Sequence, residues 1–498
     1  MRQVLMAILV LASVPADASA RWISLRSPNF LFIGEASEGR IRRTAQKLEQ
    51  FRDMLTRVLP GAIAISPAPT VVVVFPDGWA FAPYAPPGRT SDLVGYSASW
   101  EDLNYIAMNA GRADLADSIV FHEYTHLLVG NTLGEVPLWV NEGFAELYAT
   151  FQEESGGSAA MIGAGRGYHL GLLRSRRLIP IADLIAIDDR SPEYNESTRR
   201  GMLYAQSWAL MHYLSFGPAG RQSQLTAYLA SLQSGQPSNE AFAQAFGADF
   251  AALDRELTEY VRRISVPVVR VQFSERISVD TSLRGQPMDD LEGQSYLGDL
   301  LVRIGRHDAA RLHVKRVIAK DPTRARAIAA QGLIELEGRH VVEAVMLLER
   351  AAALAPEDAG ILGTLGRALI ARVFQQGQGS DRSNTNLEQA RTALERAAGL
   401  APGAAHLFAM LGDVALLGGT DHESAVSYLS QAVKMAPARE QYQLRLAEAL
   451  LRARQFDRAV SYLTPLATRG RTQQIREAAR TLLATVVQRQ LGASSAGP

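Results

Sequence analysis

The chain has no cysteine among its 498 residues. This absence excludes disulfide bonds, a thiolate nucleophile and a thiolate metal ligand. An excess of charge of either sign is also missing, because Lys+Arg and Asp+Glu each total 51. A formal net charge of zero gives no reason to expect nucleic acid or an anionic membrane as a partner.

Long apolar runs are missing as well, apart from a short one near the N-terminus. Arg2 precedes the run VLMAILVLASV, and small residues follow it at Ala18 and Ala20. This layout predicts a cleavable signal peptide over residues 1–20. A membrane anchor is the alternative, but the run would span only about 16 Å of helix, too little for the hydrocarbon core. We therefore expect an exported protein, periplasmic or secreted, with no integral membrane segment after cleavage.

Strands and a helix alternate in the segment that follows. Apolar or β-branched runs predict strands at residues 29–37, 70–78 and 103–111. After the first of these, apolar residues at helical spacing predict a helix that ends at Pro60. The pattern is α+β over residues 21–150.

The next part of the chain is mainly helical by its pattern. Residues 151–265 show helical spacing interrupted by turn signals such as ESGGS and GPAG. The β-rich piece VPVVRVQF at residues 266–273 then predicts a linker or edge element within residues 266–287. We assign residues 151–265 to the helical part of the first domain.

Helix follows helix from about residue 288, and prolines recur at helix ends in the patterns KDP, LAP, LAP and MAP. Successive prolines are 34, 46 and 35 residues apart, and the polar insertion QQGQGSDRSNTN at residues 375–386 accounts for the longer interval. A period of about 34 residues is the tetratricopeptide length. The prolines are Pro322, Pro356, Pro402 and Pro437.

Small residues recur in the same register. Glycines lie where the first helix of each pair must approach the second, and alanines lie 12 residues before each proline. A glycine inside a helix costs about 1 kcal/mol, so its recurrence implies a packing reason and disfavours ordinary amphipathic helices. Residues 288–491 therefore resemble a tetratricopeptide solenoid with a capping helix, which implies a concave surface for a peptide or protein partner. The positions are Gly298, Gly332, Gly366 and Gly412, with Ala310, Ala344, Ala390 and Ala425.

The sequence HEYTH places two of the nine histidines four residues apart. On a helix, His122 and His126 lie on one face, where both imidazoles can bind one zinc ion. Glu123 between them can reach a zinc-activated water as a general base. Apolar flanks at helical spacing predict this helix, with Gly130 as its stop. The alternative is a core helix whose histidines bind no metal.

A catalytic zinc ion takes three protein ligands and leaves one position open. The segment PLWVNEGFAELY supplies Glu142, 16 residues after His126, and Glu146 one helical turn later. The HEYTH and NEGFA segments resemble those of the gluzincin metallopeptidases, such as the aminopeptidase N and thermolysin families. The resemblance implies a zinc site whose ligands are His122, His126 and Glu142. It also implies that Glu123 is the general base and that Glu146 orients a ligand histidine.

Some features leave alternatives open. The 16-residue spacer is shorter than in aminopeptidases, which favours another gluzincin branch. The two carboxylates at positions 142 and 146 are also compatible with a solvated helix face. His169 and His212 are interpreted as structural.

The segment LYAQSWALMHYL resembles the YxKG helix start of aminopeptidase N-like enzymes. By this resemblance, the hydroxyl of Tyr204 donates a hydrogen bond to the oxyanion. Gln206 and Ser207 replace the lysine and glycine of that pattern, and a core or surface tyrosine is the alternative.

The predicted strand at residues 103–111 directly precedes the HEYTH helix. Gluzincins place an edge strand there, which pairs with an extended substrate. By this analogy, backbone groups would hold the peptide at Tyr105, Ile106, Ala107 and Met108. The GxMEN segment that anchors a free amino terminus in aminopeptidase N is missing, so endopeptidase and aminopeptidase action both remain open.

Together the resemblances imply an α+β zincin-like metallopeptidase domain followed by an all-α tetratricopeptide solenoid. The function they imply is zinc-dependent hydrolysis of peptide bonds in an exported protein, whose repeats recruit a substrate or a partner protein. The alternative is a binding scaffold in which a peptidase-like domain holds zinc but has little or no activity.

Overall fold

The structure, a computed structural model, describes most of the chain. The described ranges are 22–58, 68–88, 93–112, 115–234, 236–247, 249–263, 266–277, 280–376, 381–419 and 421–494. The predicted signal peptide and Pro60 lie outside these ranges. Within them, no helix is both long enough and apolar enough to cross a membrane.

Nine strands are found in the described ranges. They are β1 (Trp22–Arg26), β2 (Phe30–Gly34), β3 (Thr70–Phe75), β4 (Gly95–Ser99), β5 (Asn104–Asn109), β6 (Gln152–Glu154), β7 (Ala159–Ile162), β8 (Val269–Gln272) and β9 (Gln286–Met288). Six of them form one sheet in the order β4-β5-β3-β2-β1-β9. The three predicted strands are β2, β3 and β5, which run parallel in its centre, whereas the flanking strands pair antiparallel.

Helices α1 to α11 precede the repeats. They are α1 (Glu38–Val58), α2 (Gly78–Phe81), α3 (Ala116–Thr132), α4 (Leu138–Tyr148), α5 (Gly167–Ser175), α6 (Ile181–Leu184), α7 (Pro192–Asn195), α8 (Ser197–Phe216), α9 (Arg221–Gln233), α10 (Ser238–Phe246) and α11 (Phe250–Arg262). The region of residues 151–265 also contains β6 and β7, which form a small sheet with β8. The segment predicted as a linker or edge element therefore leads from β8 in this sheet to β9 in the large one.

The solenoid consists of helices α12 to α22. They are α12 (Asp290–Arg303), α13 (His307–Lys320), α14 (Ala325–Glu337), α15 (Val341–Leu354), α16 (Ala359–Gln376), α17 (Asp381–Leu400), α18 (Ala405–Gly418), α19 (His422–Met435), α20 (Glu440–Arg452), α21 (Phe456–Arg469) and α22 (Gln473–Ser494). The described residues of the polar insertion extend α16 at its end and begin α17. The insertion therefore lengthens a helix pair.

The small residues of the repeat register lie where helices of a pair meet, as predicted. A Cβ atom added to Gly366 would lie 2.5 Å from Cγ of Leu394, and one added to Gly412 would lie 2.4 Å from Cγ of Leu429. Among the alanines of the register, Ala390 on α17 is fully buried. The recurring glycines therefore permit close packing of successive helices.

The central strand β3 joins the first domain to the solenoid. All six of its residues are buried, because helices cover both faces of the sheet. Val72 and Val74 belong to the hydrophobic cluster that contains α1 and α3. Val71 and Val73 face the other side, where they share a cluster with Leu297 of α12. The first helix of the repeats is thus part of the core that supports the sheet.

Candidate metal centre

The HEYTH segment lies on α3, and α4 packs beside it. The helix continues past Gly130, where we expected its end. The chain reverses instead at Gly134, whose φ of +71° is a conformation that glycine adopts without strain. This connection brings Glu142 of α4 to the face of α3 that carries the two histidines.

The three predicted ligand atoms converge between α3 and α4. His122 Nε2 lies 3.0 Å from His126 Nε2 and 3.5 Å from Glu142 Oε2. The third separation, from His126 Nε2 to Glu142 Oε2, is 3.7 Å. Ligand atoms bound at about 2.05 Å to a tetrahedral zinc ion are about 3.3 Å apart. The three atoms therefore have the spacing of a zinc site.

Glu142 has an environment that favours a bound cation. It is only 3% exposed, and its Oε2 atom accepts no hydrogen bond from the described part of the chain. A buried carboxylate oxygen without a partner is costly, and a metal ion would satisfy it. Two imidazoles and a carboxylate are also a common ligand set of catalytic zinc. The residues therefore fit this ion.

Glu146 lies one helical turn beyond Glu142, on the same face of α4. Its Oε1 atom is 3.3 Å from Nδ1 of His122, and its Oε2 atom is 3.1 Å from Nη1 of Arg166. Burial by itself would raise the pKa of Glu146, but His122 and Arg166 outweigh it and lower that pKa to about 2. The ionised carboxylate is thus placed where it can orient the His122 ring.

His122 experiences the field of both buried carboxylates. Burial lowers its pKa, but Glu142 and Glu146 outweigh burial and hold that pKa well above its usual range. The same carboxylates stabilise positive charge of any kind at this point, including that of a metal ion.

The second histidine has a partner that the sequence reasoning missed. Nδ1 of His126 lies 3.0 Å from Oδ1 of Asn141, a distance at which the ring N–H donates to the amide oxygen. Such a bond leaves Nε2 unprotonated and directed towards the ligand cluster. Asn141 is the residue before Glu142 in the NEGFA segment, so the sequence did contain a signal for it.

Glu123 extends from α3 towards the sheet. It is half-buried, and its Oε2 atom accepts a hydrogen bond of 2.8 Å from the hydroxyl of Ser97 on β4. Neither Ser97 nor β4 was predicted. The serine has no motif around it, and only strand pairing brings it to this position.

Tyr204 of α8 lies beside the ligand cluster. Its ring centroid is 6.2 Å from that of His122. The approach of α8 depends on Gly143, the glycine of NEGFA. A Cβ atom at that position would lie 2.8 Å from the carbonyl oxygen of Ser207 and 2.9 Å from Cβ of Met211. Close packing of α4 on α8 thus brings the tyrosine to the site.

The two remaining histidines of this region lie outside the ligand cluster. Nδ1 of His212 is 2.8 Å from the hydroxyl of Tyr260, and its Nε2 is 3.0 Å from the carbonyl oxygen of Pro267. Burial lowers the pKa of His212 to about 4, so the ring is neutral. His169 lies at the periphery, with Nδ1 at 3.9 Å from Oε2 of Glu146.

The prediction that β5 is an edge strand is wrong. The backbone from Tyr105 to Met108 pairs with β3 on one side and with β4 on the other, and all four residues are buried. These residues therefore have no free backbone edge for a substrate. The strand at this edge of the sheet is β4. Its own sequence has no strong apolar pattern, and the strand was missed for that reason.

A cavity of about 750 Å³ opens beside the ligand cluster. Ser99 of β4, His126 and Asn141 line one side, and residues of the last repeats, including Arg439 and Arg471, line the other. Nη2 of Arg471 donates a hydrogen bond of 2.7 Å to the carbonyl oxygen of Leu133, just after α3. The volume is in the range of ligand clefts, and the repeats supply part of its wall.

Two family models match the chain. A family described as a protein of unknown function (DUF1570) matches residues 116–239, which include α3, α4 and Tyr204. The tetratricopeptide repeat model matches residues 297–359, 380–439 and 415–471. The C-terminal part of the chain is therefore a solenoid of tetratricopeptide repeats, a class that suggests a scaffold for protein–protein interaction.

A search of curated proteins finds no match. Among solved structures, a thermophilic tetratricopeptide-repeat protein of Thermus thermophilus is 24% identical, over 39% of this chain and 99% of that chain, with a TM-score of 0.33. Pseudomonas aeruginosa pilF is 19% identical, over 42% of this chain and 93% of that chain, with a TM-score of 0.32. YrrB, a tetratricopeptide-repeat protein with an unusual peptide-binding site, is 16% identical, over 39% and 92% of the respective chains, with a TM-score of 0.31.

Proposed function

We propose that this protein is an exported zinc-dependent metallopeptidase of the gluzincin type, with a zincin-like domain that carries the site. One observation supports this proposal above all others. Two imidazole nitrogens and a buried carboxylate oxygen without a hydrogen-bond partner among the described residues converge at separations of 3.0 to 3.7 Å. A cation bound between them would satisfy all three atoms together.

His122, His126 and Glu142 would hold the zinc ion. When bound, zinc polarises the carbonyl of the scissile bond and lowers the pKa of a water molecule. Glu146 and Asn141 orient the two imidazole rings, because each lies at an Nδ1 atom and leaves the corresponding Nε2 atom directed towards the metal position.

Glu123 acts as the general base. It adjoins His122 on α3, and its hydrogen bond with Ser97 holds the carboxylate at the edge of the sheet. The carboxylate accepts a proton from the attacking water and delivers it to the leaving amine. The Tyr204 hydroxyl, next to the ring of His122, donates a hydrogen bond to the developing oxyanion.

The substrate is an extended peptide that pairs with β4. Within the described ranges this strand pairs with β5 alone, so its outer backbone groups are available for a further strand. Ser99 at the end of β4 lines the cavity beside His126, which would receive side chains of the peptide. A cleft that is open at both ends would allow cleavage inside a peptide chain, whereas a cleft that is closed at one end would restrict cleavage to the amino terminus.

A second candidate function is a binding scaffold whose peptidase-like domain holds zinc but turns over little or no substrate. The match to tetratricopeptide repeats favours it, because such repeats suggest protein partners. Both candidates share the zinc site, and they differ only in whether Glu123 and Tyr204 perform chemistry.

Zinc content and cleavage of a peptide library, measured together, separate the two. For Glu123→Gln we expect wild-type zinc content and a loss of activity of about 10²- to 10⁴-fold. Glu349→Gln, which changes an exposed carboxylate of α15 that does not line this cavity, is the control and should remain active. Activity that survives in Glu123→Gln would refute the mechanism, and zinc-bound wild type without activity would favour the scaffold.

A further inference from the structure

The turn between β4 and β5, residues 100–103 with the sequence WEDL, inserts between the first domain and the repeats. Both guanidinium Nη atoms of Arg303 donate to the carboxylate of Asp102, each at 2.7 Å. The indole N–H of Trp100 donates to the carbonyl oxygen of Arg303 at 3.1 Å, and the guanidinium lies 5.7 Å from the indole ring centre. The turn is thus bound by hydrogen bonds, charge and an aromatic contact.

Arginines from the first helices of several repeats surround this turn. Burial raises the pKa of Asp102, but Arg303, Arg367 and His406 outweigh it and hold that pKa well below its usual range. Burial raises the pKa of Glu101, and Arg439 and Arg367 oppose that rise only in part. The arginines among these groups come from α12, α16 and the residue before α20. Burial lowers the pKa of His406 on α18 to about 4, so this ring is neutral. An acidic turn therefore lies against arginines from several repeats, and the carboxylates of Asp299 and Asp413 share this surface.

This surface is the concave groove on which such repeats bind extended ligands. Here the chain's own turn takes that place. The hydroxyl of Tyr105, the second residue of β5, donates to Asp299 of α12 at 2.8 Å, and Asp299 also accepts from Nε of Arg303 at 2.9 Å. The side chains of the sheet and of the first repeat therefore form one connected buried network.

The turn is continuous with the edge strand beside the candidate active site. Ser97, three residues before Trp100, donates the hydrogen bond to Glu123. At the other end of the strand, a Cβ atom on Gly95 would lie 2.3 Å from Cγ2 of Ile119, so β4 lies directly on α3. A shift of the turn would therefore move the serine that contacts the general base.

We propose that the concave groove of the repeats binds the turn at residues 100–103 and thereby positions β4, with Arg303 as a positioning residue for Glu123. The catalytic part rests on the proposed function, whereas the positioning of β4 does not. The repeats are then a structural part of the active site. An external protein that used the same groove would compete with this turn.

Hydrogen–deuterium exchange of the zinc-loaded full-length protein tests the positioning directly. In Arg303→Gln we expect the amides of β4 to exchange at least about tenfold faster, while those of β2 stay protected. The control is Arg311→Gln, which removes another arginine–glutamate ion pair of the repeats, Arg311 with Glu335 at 2.6 Å, away from this turn. If the amides of β4 exchange at the same rate in Arg303→Gln and Arg311→Gln, the proposal is wrong.

Steady-state kinetics distinguish a positioning role of Arg303 from a merely structural one, because a structural role would leave kcat unchanged. For Arg303→Gln we expect kcat to fall about tenfold with zinc content unchanged, and KM to rise as well because β4 also pairs with the substrate. Arg303→Lys should recover part of kcat. A loss confined to KM would overturn the link to Glu123. A wild-type protein without peptidase activity would refute the proposed function, while the exchange result would still decide whether the groove holds β4.

A buried Asp102 without its partner could unfold the protein as a whole. The double variant Asp102→Asn with Arg303→Gln removes both charges of this pair together, while Asp299 keeps the hydrogen bond from Tyr105. Faster exchange confined to β4 in the double variant would support the proposal, and wild-type protection would contradict it.

Discussion

The Nδ1 atom of His122 lies 3.3 Å from Oε1 of Glu146, while Nε2 of the same ring points to Glu142 at 3.5 Å. One imidazole is therefore held between two carboxylates that are one turn apart on α4. The outer carboxylate fixes the ring, and the inner one shares the metal position.

Glu146→Gln is expected to weaken zinc binding by about 10- to 100-fold, because the ring of His122 loses the anion that orients it. A competition titration with a chromogenic chelator measures the affinity. The control is Glu154→Gln, which removes a surface ion pair with Arg270. Zinc affinity equal to that of the wild type in Glu146→Gln would contradict the orienting role.

Glu142→Gln is expected to abolish stable zinc binding with the fold intact. The amide removes the anionic ligand but preserves the volume of the side chain, and a buried carboxylate without a cation is itself unfavourable. Metal analysis after dialysis measures zinc, and circular dichroism measures the fold. Glu135→Gln is the control for zinc content. If Glu142→Gln keeps as much zinc as this control, Glu142 is not a zinc ligand.

Tyr204→Phe is expected to lower kcat by about 10²- to 10³-fold with little change in KM, because the hydroxyl stabilises charge that develops only in the transition state. Zinc content should not change. Tyr168→Phe is the control, since that tyrosine is 69% exposed. If the two variants have the same kcat, Tyr204 is a packing residue.

Gly143→Ala is expected to destabilise the protein by about 1–3 kcal/mol, because the methyl group would overlap the backbone of α8 at Ser207. Chemical denaturation measures the free energy of unfolding. Gly130→Ala on the neighbouring helix meets nothing within 4 Å and should stabilise by up to about 1 kcal/mol. Similar effects of both alanines would argue against close contact of α4 with α8.

Gly412→Ala is expected to destabilise the repeats by a similar 1–3 kcal/mol, roughly, because its methyl group would meet Leu429 of the partner helix. Gly399→Ala in α17 meets nothing within 4 Å and serves as the control. Thermal unfolding followed by circular dichroism compares the two variants. A lower Tm in Gly399→Ala alone would contradict the packing register of the repeats.

The repeats could be predicted from the sequence, but the structure of the insertion within them could not. The register of Gly366, Gly412 and the helix-ending prolines repeats along the chain, so the solenoid could be recognised from spacing alone. The insertion between Gln375 and Asn386 was expected only as extra length. Its polar composition does not distinguish a loop from longer helices, and the structure extends α16 and α17 with it.

The sequence by itself determined which residues can form the metal centre. His122 and His126 share a helix face through the i, i+4 spacing, and the NEGFA segment supplies Glu142 and Glu146 through the same periodicity. These relationships are local, because the geometry of one helix sets them. The edge strand could not be predicted in this way. The sequence GYSAS of β4 has no apolar alternation, so the hairpin that it forms with β5 was not recognised.

Only the tertiary structure decided how these local pieces combine. Pairing of β4 with β5 brought Ser97 to Glu123, and packing of the first repeat on the sheet brought Arg303 to Asp102, 201 residues away in the chain. Neither contact has a periodic or motif signature, because each joins side chains of separate elements that only tertiary packing brings together. Local periodicity thus determined the candidate ligand positions, and tertiary packing determined the contacts of β4 with Glu123 and of the repeats with the turn beside it.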